Sequence, residues 1–239
     1  MKQRPRIYYT ENPKSHTLPP NRLPTPAVGP TSLPNSLTSD HLPRTTTPAI
    51  MTPDQYLAHL HAVYAAFQLR FHPLPPASEQ DLAALAAALG PLDADLAAFW
   101  RLTAGSSADS TQPLFQRPSF VDALDLLTPP QAIALALRME SRAQRMWDLA
   151  GPASQDPRLS GRWWHAGWQP FASFYGDIVL MADHHPGPEG QRGQIIAYVH
   201  DPDQVCWIAP SFSAYLQASA DSIDDDREEF LNGPLDEQE

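Results

Sequence analysis

DPRLSGRWWHAGWQPFASF (residues 156–174) runs into YGDIVLMADHHPGPEGQRGQII (175–196) and, after residues 197–199, into HDPDQVCWIAPSF (200–212). Residues 178–182 and 194–199 are runs of large apolar side chains, too short for helices and bounded by turn formers, so they predict strands. The PGPEGQRG between them supplies the Pro and Gly that a strand-to-strand turn needs. Asp201-Pro202-Asp203 marks another turn, and residues 205–209 predict a third strand beyond it. Trp163, Trp164 and Trp168 stand just ahead of the strands and beside Pro170-Phe171, where large rings fill or rim a core. Nothing in the stretch is arranged like a catalytic centre.

Upstream the periodicity is helical. Thr52 suits an N-cap and Pro53 the first helical position, followed by Tyr56, Leu60, Val63 or Tyr64, and Phe67 on one face. Ser78-Glu79-Gln80-Asp81 resembles a capping box; Leu82, Leu85 and Leu89 form its stripe and Gly90 its C-cap. A third helix carries Leu96, Phe99, Trp100 and Leu102 and ends near Gly105. After a short apolar stretch, 120–127, Thr128-Pro129 opens a longer helix to about residue 150. Its inward face holds Leu135, Met139, Ala143 and Met146, with Arg138, Arg142 and Arg145 leaning outward. Ser211 caps a closing helix through Phe212, Tyr215 and Leu216. Helices, then a strand meander, then a helix describe an α+β domain whose antiparallel (or mixed) sheet is flanked by helices, not a doubly wound fold.

Composition sets the limits. Ten of the 27 prolines fall in residues 1–50, a segment poor in large apolar side chains and expected to be a disordered, Pro-rich arm. Met51 opens the first helix signal and is a candidate translation start. The expected organisation is an arm over 1–50, a domain over 51–220 and an acidic tail over 221–239. Six Lys/Arg against two acids give the arm +4, nine against sixteen give the domain −7, and one against nine gives the tail −8. Such an acidic body repels phosphate backbones, so nucleic acid is excluded as a partner, whereas a basic protein is attracted. Cys206 is the sole cysteine, which rules out an intramolecular disulfide and a Cys-based zinc site. It reads as a buried strand thiol. No apolar run is long enough for a membrane span and no signal peptide is evident, so a cytoplasmic setting is expected.

Several elements in this order resemble the SUKH superfamily, which takes in fungal cell-wall-assembly regulators of the Smi/Knr type and many bacterial immunity proteins. The matching residues begin with the helix over 78–90 and Pro91-Leu92 with the helix to Gly105. They continue through Asp156-Pro157-Arg158, Trp163-Trp164, Trp168 with Pro170-Phe171, and Gly176-Asp177. Pro186 ahead of Gly193-Gln194-Ile195-Ile196, His200-Asp201, and Ala209-Pro210-Ser211-Phe212 complete the series, over roughly residues 53–220. The family's usual DLDP turn is here Asp183-His184-His185-Pro186, and its Gly-rich approach to the first strand is Ser173-Phe174-Tyr175-Gly176. The resemblance implies a sheet used as a protein-binding platform, neutralisation of a cognate toxin in bacterial members, and no catalytic residues.

Asp183, His184, His185, His200 and Asp201 have metal-ligand chemistry, but successive strand residues face opposite sides and no i, i+4 His pair exists. Exposed turn residues are the reading taken, with no metal and no cofactor. Asp177 and Asp183 bracket a strand and stand about 20 Å apart, too far for a glycosidase pair. Gly187, Gly190 and Gly193 precede no helix, which removes the phosphate-loop reading. Asp224-Asp225-Asp226 with Glu228-Glu229 reads as a solvated tail. The expectation is a non-enzymatic binding protein, an immunity protein covering the active site of a basic toxin, with a regulatory adaptor as the alternative. Candidate partner-binding residues are Trp163, Trp164, Trp168, Asp177, Asp183, His185, His200 and Asp201.

Overall fold

The computed structural model describes residues 50–106, 112–118 and 123–232. Residues 1–49 of the Pro-rich arm, residues 120–122 of the apolar stretch and residues 233–239 of the acidic tail lie outside the described residues. Three helices come first: α1 (Pro53–Ala66), α2 (Glu79–Leu89) and α3 (Ala94–Leu102). Each starts where a side chain can accept from its orphan amides. Thr52 with Gln55 and Ser78 with Asp81 form capping boxes, and Asp93 accepts from Asp95 and Leu96. Two short strands follow, β1 (Phe115–Gln116) and β2 (Ala123–Leu126), then α4 (Pro129–Ala150), again behind a capping box of Thr128 and Gln131. The chain continues with β3 (Trp168–Phe174), β4 (Ile178–Asp183), β5 (Gln194–Val199), β6 (Gln204–Ala209), α5 (Phe212–Asp225) and α6 (Arg227–Asn232).

The strands form one six-stranded sheet in the order β1-β2-β3-β4-β5-β6, with antiparallel pairing throughout. The fold is therefore α+β with an antiparallel sheet. It departs from the expected order in two ways. The sheet starts before α4 rather than after the helices, and β3 is a strand where the sequence suggested only rings ahead of the sheet. Pro170 sits at an irregularity of the β3–β4 ladder, between Pro170 and Ala172, where a missing amide is tolerated.

Both faces of the sheet are covered, which is why β4 reads as a continuous apolar run rather than as an alternation. Ile178, Leu180 and Ala182 join one cluster with α1, α2, α3 and α5, while Val179 and Met181 join another beneath α4 and the segment that follows it. The first cluster is rich in rings: Phe115 packs on Tyr56, Phe99, Phe171, Phe212 and Tyr215 with centroids 5.3–6.4 Å apart. Its polar atoms are matched. Tyr56 donates to the Leu114 carbonyl and lies 2.8 Å from Ser219 Oγ, which also accepts the Gln116 amide at 2.9 Å, tying α1, β1 and α5 together.

The packed body does not stop at residue 220. Residues 221–225 finish α5 and 227–232 form α6, with Ile223 and Phe230 in the first cluster. The acids there are exposed apart from the half-buried Glu229, but the segment they decorate is anchored, because two apolar side chains seven positions apart face inward among them. Cys206 is likewise only half-buried, though burial does push its thiol up from the ordinary value. Among the described residues no helix is long and apolar enough to cross a membrane.

Candidate functional site

The antiparallel register divides the candidate residues between two ends of the β4–β5 hairpin. Asp183 faces Gln194 at one end, and Ile178 faces Val199 at the other, next to His200. The ends are separated by five residue steps, about 17 Å at strand rise. Asp183 and His185 thus sit away from Asp177, His200 and Asp201, and among the described residues no three metal-ligating side chains gather as a metal needs. The Asp177 and Asp183 carboxylates also sit at opposite ends of β4, which gives no acid/base pair.

At the first end Asp183 is fully buried, not the exposed turn residue expected. Its carboxylate accepts from the His185 amide at 2.7 Å and from Gln194 Nε2 at 2.9 Å, while Gln194 also donates to the Arg158 carbonyl at 2.8 Å. Such a group is held because its lone pairs are satisfied. The 186–193 turn leans on the 157–159 segment: the Gly187 amide donates to Arg158 at 2.9 Å, and a Cβ on Gly187 or Gly190 would come within 3.0 Å of a carbonyl oxygen there. These glycines serve close packing of one loop on another. Arg158 forks onto Asp156 and covers the Trp207 ring at 4.0 Å, closing the same corner.

Trp163 and Trp168 belong to the second cluster, Trp163 donating from Nε1 to the Gly151 carbonyl at 2.6 Å. Trp164 is half-buried and meets Trp168 edge-on at 6.0 Å. Of the three, only Trp164 retains surface for a partner. His185 is exposed and lies flat on His165, 3.7 Å away. Burial, the His185 ring and Arg162 hold His165 below the ordinary imidazole value, and burial with Arg192 does the same for His184. His184 and His185 line one groove with Arg192 and Gln169, of about 430 Å³. Strand alternation did not keep them apart because β4 ends at Asp183.

At the second end Asp177, His200 and Asp201 are all exposed and come together, the His200 amide donating to the Asp177 carbonyl at 2.7 Å. Beneath them lies a cluster that sequence reasoning did not find. Asp203 accepts from the Tyr198 hydroxyl, lies 2.8 Å from His200 Nδ1 and 3.5 Å from Arg142, whose guanidinium also covers the Tyr198 ring at 5.5 Å. Burial alone would raise Asp203. The hydrogen bonds from Tyr198 and His200 and the charge of Arg142 outweigh it and hold the carboxyl below its usual range. Burial and the bond to Asp203 push Tyr198 the other way. The cluster pins α4 to the β5–β6 turn and accounts for Arg142 turning inward rather than leaning out. Beside it the exposed rings of Phe174 and Tyr175 form the tip of the β3–β4 turn. Tyr-Gly-Asp between two apolar runs was the available signal for that tip.

A sequence model described as the SMI1 / KNR4 family (SUKH-1) matches residues 76–218, more than half of the chain. This chain belongs to the SMI1 / KNR4 family. The match runs from just ahead of α2 into α5, so it takes in the sheet and both hairpin ends, and it bears out the SUKH resemblance read from the tryptophans and turns. No curated protein matches the chain. SUKH membership suggests an immunity or regulatory role and, in general, a domain without catalysis.

Proposed function

We propose that the chain is a protein-binding domain that neutralises a cognate bacterial toxin by covering its active site. The observation that carries this is the SMI1 / KNR4 match across the whole sheet. Charge supports it: residues 51–220 carry nine Arg against sixteen acids, so a basic surface is drawn to this one. Three exposed polar residues, Asp177, His200 and Asp201, lie together at one end of the sheet, as a docking rim requires. The mechanism is steric, with charged residues around the rim guiding approach and raising the association rate. A cytoplasmic setting follows from that role.

The test is co-expression with the product of a neighbouring toxin gene. Restored growth and a complex that co-purifies support the reading; continued killing with no complex refutes it. The family also suits a regulatory adaptor that uses its terminal segments as binding sites. Deleting 1–50 and 233–239 separates the two, since a toxin-covering domain keeps its partner and such an adaptor loses it. The cut must spare 221–232, because Ile223 and Phe230 are core residues.

A further inference from the structure

The β3–β4 turn has a chemically odd occupant. The Asp177 amide donates to the Phe174 carbonyl at 2.9 Å, and the two residues between them, Tyr175 and Gly176, have φ of 50° and 85°. Both central residues at positive φ define a primed hairpin turn, whose first position ordinarily takes Asn, Asp or Gly. A tyrosine is sterically disfavoured there. Burial does not offset that, for Tyr175 is 70% exposed and its neighbour Phe174 38%. The two rings meet edge-on at 4.9 Å and form an aromatic tip standing off the sheet.

The tip overhangs a groove of about 320 Å³ between the sheet and α4, lined among others by Tyr175, Gly176, Asp125, Arg138 and Leu74. Charge around it is mostly negative. Asp177 and Asp201 are exposed on adjoining turns, Asp125 lines the groove, and Arg142 is already engaged by Asp203. Arg138 on α4 is the opposing cation. Local strain, exposed aromatic surface and a carboxylate rim occur together in one place.

We propose that this tip and groove receive an arginine side chain of the partner protein, flanked by apolar residues. The guanidinium stacks on the Tyr175 ring and forks onto Asp177, while the apolar neighbours cover Phe174. Lysine fits less well, since an ammonium neither stacks as a plane nor binds two carboxylate oxygens in parallel. The proposal rests on the protein-binding reading above and names the surface and the residue that it recognises.

The experiment titrates the full ¹⁵N-labelled chain with a capped Leu-Arg-Leu tripeptide and with its citrulline and glutamate counterparts. Saturable shifts at Tyr175, Gly176 and Asp177 are expected with the arginine peptide, about fivefold weaker binding with citrulline, and none with glutamate. Tyr175→Asn keeps the turn chemistry, so its melting temperature should equal or exceed that of the parent while arginine binding falls about fivefold. Absent shifts at the turn, equal response to citrulline, undiminished binding by Tyr175→Asn, or a melting temperature several degrees lower overturn the proposal. The two readings fail separately. A toxin held equally by the parent and by Tyr175→Asn refutes this surface alone, whereas peptide binding without any toxin complex refutes the neutralisation reading alone.

Discussion

Phe230→Ala asks whether the acidic end of the chain is a solvated tail or part of the folded body. Phe230 is 1% exposed and meets the Tyr64 ring at 6.3 Å, although acids surround it in sequence. Deleting a buried phenyl costs about 3–5 kcal/mol where the neighbours cannot close the cavity. Here α6 has six residues and follows α5 directly, so it can swing aside, which places the cost near the lower end, about 3 kcal/mol. A domain of this size loses about 2–4 °C of Tm per kcal/mol, so the midpoint should fall by about 6–12 °C. Thermal unfolding followed by far-ultraviolet circular dichroism measures the midpoint, urea unfolding measures the free energy, and a lower urea slope in the variant reports prior undocking of α6. Asp225→Asn and Glu228→Gln, at exposed positions on the same segment, should change stability by no more than about 0.5 kcal/mol. A Phe230→Ala effect as small as those controls refutes the packed-helix reasoning.

Three further outcomes follow from the same contacts. Ser219→Ala deprives the Tyr56 hydroxyl and the Gln116 amide of one shared partner and should cost about 1–3 kcal/mol in urea unfolding, with no effect on partner affinity. Gly190→Ala forces a Cβ against the Arg158 carbonyl and should destabilise by about 1–3 kcal/mol, with amide exchange rising first in the 156–160 and 186–193 segments. Asp203 has a depressed pKa in the folded state, so its contribution is present above the unfolded value of about 3.9 and is lost as pH falls through the folded value. Asp203→Asn should therefore be less stable than the parent at pH 7, and that gap should close as the pH is lowered below about 3.9; a gap independent of pH contradicts the assignment.

Much of the architecture was legible because local signals agreed. Thr52, Ser78 and Thr128 each announce a helix through a side chain that can cap it, and each does so in the structure. The runs 178–182 and 194–199 read as strands because they are β-rich and bounded by turn formers, and both are strands in the structure. β3 was hidden by Pro170 and by Gln169, which break an apolar pattern; Gln169 is tolerated inside because it donates to the Pro91 carbonyl at 2.7 Å and accepts the Asp93 amide at 3.1 Å. The α5 end and α6 were obscured by carboxylates around Ile223 and Phe230. Charge misled again at Asp183, whose burial depends on Gln194, eleven positions away, a partner that only the register supplies. The site was partly legible. Asp177, His200 and Asp201 could be named from the turns beside them, but their separation from Asp183 and His185 needed the pairing of β4 with β5. Tyr175 stood out only as part of a departure from the family's Gly-rich pattern, because exposure and φ cannot be read from a residue name.

The most direct measurement of the central claim is calorimetric titration of the purified full chain into the purified product of a toxin gene found beside its own, with residual toxin activity assayed at each addition. Saturation at a defined stoichiometry, with activity falling in step with occupancy, is the result expected of a domain that works by covering an active site. Toxin activity unchanged in the presence of excess chain, with no heat of binding, contradicts it.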